Sequence, residues 1–215
     1  MSKGMLGTLP LSVVRGPRDE LEDRLAGEEG EIWLTAFKRF LRKENPWPTP
    51  ALTAVVPPTL KVWKTIRVGG MSREEFPKSL AAAGYEVGRW ARDMMAQKAF
   101  ATESEPREID LARMTIRELG FTSNPTTAQR DARIREIGGE ILPPSAGAHL
   151  RIGYADQPVG EYLWMYMEPI VDSGGCSDVL GVSRVVGGRW LSGADAGPGV
   201  KWVLESVVVF GVPRK

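Results

Sequence analysis

Four carboxylates fall within one short stretch, GEYLWMYMEPIVDSGGCSD: Glu161, Glu168, Asp172 and Asp178. Paired acids are the equipment of general acid–base hydrolysis, and the pairs that cleave glycosides stand about 5 to 9.5 Å apart. In a regular strand Glu161 and Glu168 point to opposite faces and lie roughly 23 Å apart at about 3.3 Å per residue. They cannot act together within one flat strand. Glu168 and Asp172 can approach across the turn, with Asp178 joining from the next strand, so Glu168 and Asp172 carry a hydrolase reading directed at glycosides. Against it, acids in turns are commonly solvated or bonded to nearby backbone.

Other reactive groups are sparse. His149 is the single histidine, so any imidazole chemistry rests on it. A triad of Ser145 or Ser173 with His149 and Asp156 lacks the nucleophile-elbow pattern around either serine. Cys176 is the only cysteine, which excludes an intramolecular disulfide and a thiolate zinc site and fits a reducing cytoplasm. The runs VGG, GGE and SGG lack the lysine and glycine spacing of a phosphate loop. No metal and no cofactor are expected.

Basic chemistry is concentrated in FKRFLRKENPW, where Lys38, Arg39, Arg42 and Lys43 alternate with Phe37, Phe40 and Trp47. Cations that meet phosphates beside rings that stack on bases are what single-stranded nucleic acid binding uses. Lys61 and Lys64 extend the candidate surface, and residues 61–98 hold eight basic against four acidic side chains. The opposing reading is an ordinary amphipathic helix whose rings dock inward and whose charge is neutralised by Glu28, Glu29 and Glu31.

The whole chain has almost balanced charge, 28 basic against 27 acidic residues, so no global field draws it to nucleic acid or membrane. Its 215 residues suffice for one substantial core and a small appendage. The opening MSKGMLGTLPLSVVRGPRDE does not read as a signal peptide. Apolar runs such as ESVVVFGV are far shorter than the roughly 18 residues of a membrane helix.

Hydrophobic spacing supplies the elements. Leu21, Leu25, Ile32, Trp33, Phe37, Phe40 and Leu41 predict two amphipathic helices separated by Gly27 and Gly30. Five prolines between residues 45 and 59 predict a linker or extended arm. KVWKTIRV and REIDLARMTIRELGF alternate as strands. After SREEF, with its Ser72–Glu75 capping spacing, a single helix is expected to carry Phe76, Leu80, Val87, Trp90, Ala91 and Met94. TTAQRDARIREIGG gives another helix, capped by Thr126 or Thr127. From His149 onward strands and turns are expected without further helix, including a central strand with Tyr162, Trp164 and Tyr166 on one face.

The expected fold is therefore α+β. It has an N-terminal helical segment (1–45), a proline-rich linker or arm (46–60), and a body (61–215) of two helices on a mixed or antiparallel sheet. A β-meander from about 148 closes the chain.

The segments FKRFLRKENPW, LKVWKTIRVG, RELGF, HLRIGYADQPVGEYLWMYMEPIVDSGG and VVVFGVPRK together resemble a family of uncharacterised small proteins. That family is seen mostly in genomes of uncultivated bacteria of the candidate phyla radiation. The likeness runs from about residue 28 to the end. Where the family has CPAEVGP this chain has LPPSAGA (142–148), so the acidic residue of that loop is missing here. The resemblance implies a recurring fold and assigns no substrate. The functional expectation is a cytoplasmic binding module, with single-stranded nucleic acid as the first partner and another protein as the second. The alternative is the small hydrolase.

Overall fold

The computed structural model describes residues 11–44, 46 and 60–214, with side chains from Arg18 onward. The chain divides into two compact units, Met1–Ala54 and Val55–Lys215. Apart from Pro46 and Leu60, the expected proline-rich arm lies outside the described residues.

Helices α1 (Leu11–Ala26) and α2 (Gly30–Leu41) make the first unit, the pair that the apolar spacing foretold. Glycine is required at the corner: a Cβ on Gly30 would stand 2.2 Å from the Leu25 carbonyl oxygen. On α2 only Ala36 is buried, while Ile32, Leu34, Phe40 and Leu41 are exposed.

In the second unit eight strands form one mixed sheet: β1 (Lys64–Val68), β2 (Glu86–Val87), β3 (Arg107–Thr115), β4 (Tyr162–Met165), β5 (Ile170–Val171), β6 (Ser177–Val185), β7 (Gly188–Asp195) and β8 (Val207–Val212). Their order is β1-β3-β8-β4-β6-β7-β2, with β5 attached to β6. The fold is α+β. Strands β4, β6 and β7 are antiparallel neighbours, the meander, and β8 then returns to the middle, parallel to β4 and antiparallel to β3. A run as apolar as VVVFGV suits a position covered on both sides; Val208, Val209 and Phe210 are buried.

The helix expected from Arg73 to Met94 is two helices, α3 (Glu75–Ala82) and α4 (Arg89–Ala96), with β2 between them. Gly84, at φ +69°, ends α3 in a Schellman turn in which Tyr85 N–H reaches Leu80 O and Gly84 N–H reaches Ala81 O. Extended Gly88 then starts α4. Helix α5 (Thr127–Glu136) carries the reciprocal capping box of Thr126 and Gln129.

The expectation of no helix from His149 onward is corrected by α6 (Ala146–Gly153), which contains both His149 and Arg151. Eight residues make a marginal helix alone, so local pattern does not determine it. Packing does: Gly147 lets α6 lie so close to the sheet that an added Cβ would be 2.9 Å from Leu180 Cβ and 3.2 Å from Met165 Cγ.

Helices α3, α4 and α6 gather on the face of the sheet that carries Met165, Leu180, Val182 and Leu191. Phe210 and Trp164 face the other way, toward Ile134 of α5 and toward Trp202. This places four helices on the body where two were expected. Arg151 is wholly buried and donates to Gln157 Oε1, to Tyr154 O and to Ser183 O (3.2 Å), tying α6 to the following turn and to β6.

Gly181, between Trp164 and Ser192, has no room for a side chain: its Cβ would be 2.5 Å from Trp164 Cζ3. Gly181→Ala is expected to lower stability by about 1 to 3 kcal/mol, seen as a reduced urea midpoint with an unchanged slope. A wild-type midpoint would show that the Trp164 ring yields freely.

Candidate functional site

The β6–β7 register puts Asp178 directly opposite Asp195, and β5 brings the chain alongside through Ile170↔Asp178 and Val171↔Ser177. Between β5 and β6 the DSGGC turn folds on Asp172, whose Oδ1 accepts from Gly174 N–H and Cys176 N–H, each at 2.8 Å. Gly175 supplies the positive φ (+86°) that the turn needs. Asp93 of α4 holds the same turn from outside by accepting from the Ser173 N–H (3.2 Å) and hydroxyl. Trp90 stands at the start of α4, where Gly193 leaves it space; a Cβ there would come within 2.9 Å of Trp90 Cβ.

Trp90, Asp172, Cys176, Asp178, Gly193, Ala194 and Asp195 enclose a pocket of about 230 Å³. No lysine, arginine or histidine lines it. Asp172 and Asp178 are 5% and 3% exposed, and Asp172 Oδ2 is shut off from water. That oxygen is buried without a hydrogen-bond partner. Asp195 is exposed at the mouth and caps Gly197 N–H at 2.9 Å.

Burial pushes the Asp178 carboxyl above the usual range, and Asp172, Asp195 and Asp93 push it further. The Cys176 thiol is raised in the same way, chiefly by Asp172, which makes it a poor nucleophile at neutral pH. Asp93 is lowered, first by its bond from the Ser173 side chain. Like charges directly opposite across two strands cost stability, and buried carboxylates without counter-charge cost more. Such a pocket can hold a cation or keep one proton ready for transfer.

Among the expected site residues, Asp172 lies in the pocket and Asp178 joins it. Glu168 is exposed and outside the lining, where its charge acts on the Tyr166 hydroxyl. The carboxylates brought together are thus Asp172, Asp178 and Asp195 rather than Glu168 and Asp172. Glu161 pairs with Arg113 and, after burial, helps push the Tyr154 hydroxyl up to about 12. Asp195, Asp93 and Trp90 were missed from sequence. For Asp195 a signal existed: pairing outward from the VGG turn sets it opposite Asp178.

The basic candidates divide between the units. Lys38 and Arg39 lie in the last turn of α2, followed by Arg42 and Lys43, and Arg42 is engaged by Glu44 in bonds of 2.8 and 3.0 Å. Lys61 and Lys64 belong to the second unit, where the Lys64 ammonium stands 4.7 Å from the Tyr154 ring centre. His149 accepts from Gly69 N–H through Nε2 at 3.1 Å and meets the Phe76 ring edge-on. Ser145 bonds to Glu103 and Ser173 to Asp93, so neither serine bonds to the imidazole.

Among the described residues, no group of three or more His, Cys, Asp or Glu is arranged to hold a metal, and no helix is long and apolar enough to cross a membrane. The chain matches no family model, no curated protein and no solved structure.

Burial lowers the His149 pKa from its ordinary value. The unfolded chain therefore binds the extra proton first, and stability falls as pH drops below about 6.5 toward the folded value. His149→Gln, which keeps an acceptor for Gly69, is expected to flatten the dependence of the urea midpoint between pH 7 and 5.5. An equal slope in wild type and variant would contradict this.

Proposed function

We propose that the protein is a binding module that takes a cationic group, an ammonium or guanidinium carried by a small molecule or peptide, into the Asp172–Asp178–Asp195 pocket. The carrying observation is two buried carboxylates that share a pocket with no positive side chain in its lining. Its volume is below the roughly 300 Å³ at which drug-sized sites begin, which suits one side-chain-sized group. Exposed Trp90, whose ring already carries the Arg89 guanidinium 5.1 Å from its centre, offers a flank for the ligand's methylenes. The free, exposed Cys176 supports a reducing, cytoplasmic setting.

The test is calorimetric titration with spermidine, cadaverine and arginine methyl ester. Binding is expected to weaken with salt and with acid, because Asp178 with its raised pKa is among the first carboxyls to take up a proton. Asp178→Asn is expected to lose at least about tenfold in affinity while the unliganded fold gains about 1 kcal/mol from relief of the like-charge pair. Absence of binding at low salt, or unchanged affinity in the variant, would overturn the proposal.

A second reading keeps the hydrolase. Asp178, whose pKa burial and the neighbouring acids raise, is the candidate general acid of that reading. Turnover of chromogenic glycosides that disappears in Asp178→Asn would favour it; no turnover would leave the pocket to binding.

A further inference from the structure

The face of the β6–β7 hairpin that begins with Asp178 and Asp195 ends, six residues along each strand, with Arg184 directly opposite Arg189. At about 3.3 Å per residue the two like-charged pairs are roughly 20 Å apart. Arg151 approaches the arginine end from α6: it bonds Ser183 O and Gln157 Oε1, while Arg184 donates to Gln157 O at 2.7 Å. Both Arg189 and Arg184 act on Arg151, adding to the lowering that burial imposes on its guanidinium.

Three arginines therefore converge on this end of the hairpin, Arg151 with the Tyr85 ring 4.8 Å from its guanidinium. Every acceptor of Arg151 is a neutral oxygen, and among the described residues none of the three arginines forms an ion pair with a carboxylate. Arg151 Nε and Arg189 Nε are both buried without a hydrogen-bond partner. A buried charge is ordinarily paired because the unpaired state is expensive. Arg184 and Arg189 are only half-buried, so an anion from solution can reach them.

We infer that Arg184 and Arg189 bind an oxyanion of the phosphate class, with Arg151 behind them as a positioning residue that supplies field and holds Gln157. One guanidinium fork satisfies a planar carboxylate, whereas several arginines match a tetrahedral anion with more charge and more acceptor oxygens. The phosphate belongs either to a small phosphoester or to a nucleic acid backbone. This site does not depend on the carboxylate pocket.

The experiment compares wild type with Arg189→Gln and Arg184→Gln by thermal shift and calorimetry, using pyrophosphate against chloride at equal ionic strength. A labelled single-stranded oligonucleotide forms a separate arm. Pyrophosphate is expected to raise the wild-type midpoint beyond the chloride control, and each variant to bind it at least tenfold more weakly. Both variants retain the three bonds of Arg151, and cadaverine binding serves as the control for the other pole. Oligonucleotide binding that pyrophosphate displaces would support the site and assign its phosphate to nucleic acid; pyrophosphate binding alone would support it and assign a small phosphoester. No effect of pyrophosphate, or equal effects in wild type and both variants, would overturn it.

Discussion

The register between β6 and β7 is the constraint on which the remaining features rest. Eight paired positions, from Asp178↔Asp195 to Val185↔Gly188, fix which side chains share a face. A slip of one residue would put Leu191 on the face opposite Leu180 and Val182 and open the core. That apolar requirement also fixes the charges at each end. Burying the three aliphatic residues beneath α4 and α6 obliges Asp178 to face Asp195 and Arg184 to face Arg189. The core thus imposes two unfavourable like-charge contacts, and the hairpin tolerates them because the apolar pairs between them are worth more: fully burying one such side chain contributes about 1.5 to 3 kcal/mol, against roughly 0.2 to 1 kcal/mol for a cross-strand charge pair.

The helices complete what the hairpin begins. Gly193 opposite Leu180 admits Trp90 and the first turn of α4, which forms one wall of the carboxylate pocket. At the other end Arg151 joins α6, the turn after it and β6 through three neutral acceptors. Its stacking on Tyr85, 4.8 Å from the ring centre, adds the segment that leads into β2. The same residue therefore organises the scaffold and leaves positive charge beside Arg184 and Arg189.

Much of this was legible where local pattern and tertiary packing agree. Alternation located β1 and β3 because one face of each meets the core, and the Thr126 box located α5 because capping is a local hydrogen-bond exchange. Pattern failed where packing overrides it. HLRIGYA alternates like a strand, yet Gly147 allows a helix to press onto Leu180 and Met165. Val87 and Trp90 fitted one long helical stripe, but Gly84 and Gly88 break it, so Trp90 reaches the surface at a new helix start. The acid cluster was half legible: Asp172 and Asp178 flank one turn, while Asp195 arrives by pairing and Asp93 from a helix 80 residues before its partner Ser173.

Cys176 lies on the pocket wall and reports its potential directly. The central measurement is the pH dependence of Cys176 alkylation in wild type, in Asp172→Asn, and in wild type saturated with cadaverine. The account predicts a thiol pKa above the ordinary value of about 8.5 that falls both on neutralising Asp172 and on filling the pocket with an ammonium. An ordinary thiol pKa that neither change moves would contradict it.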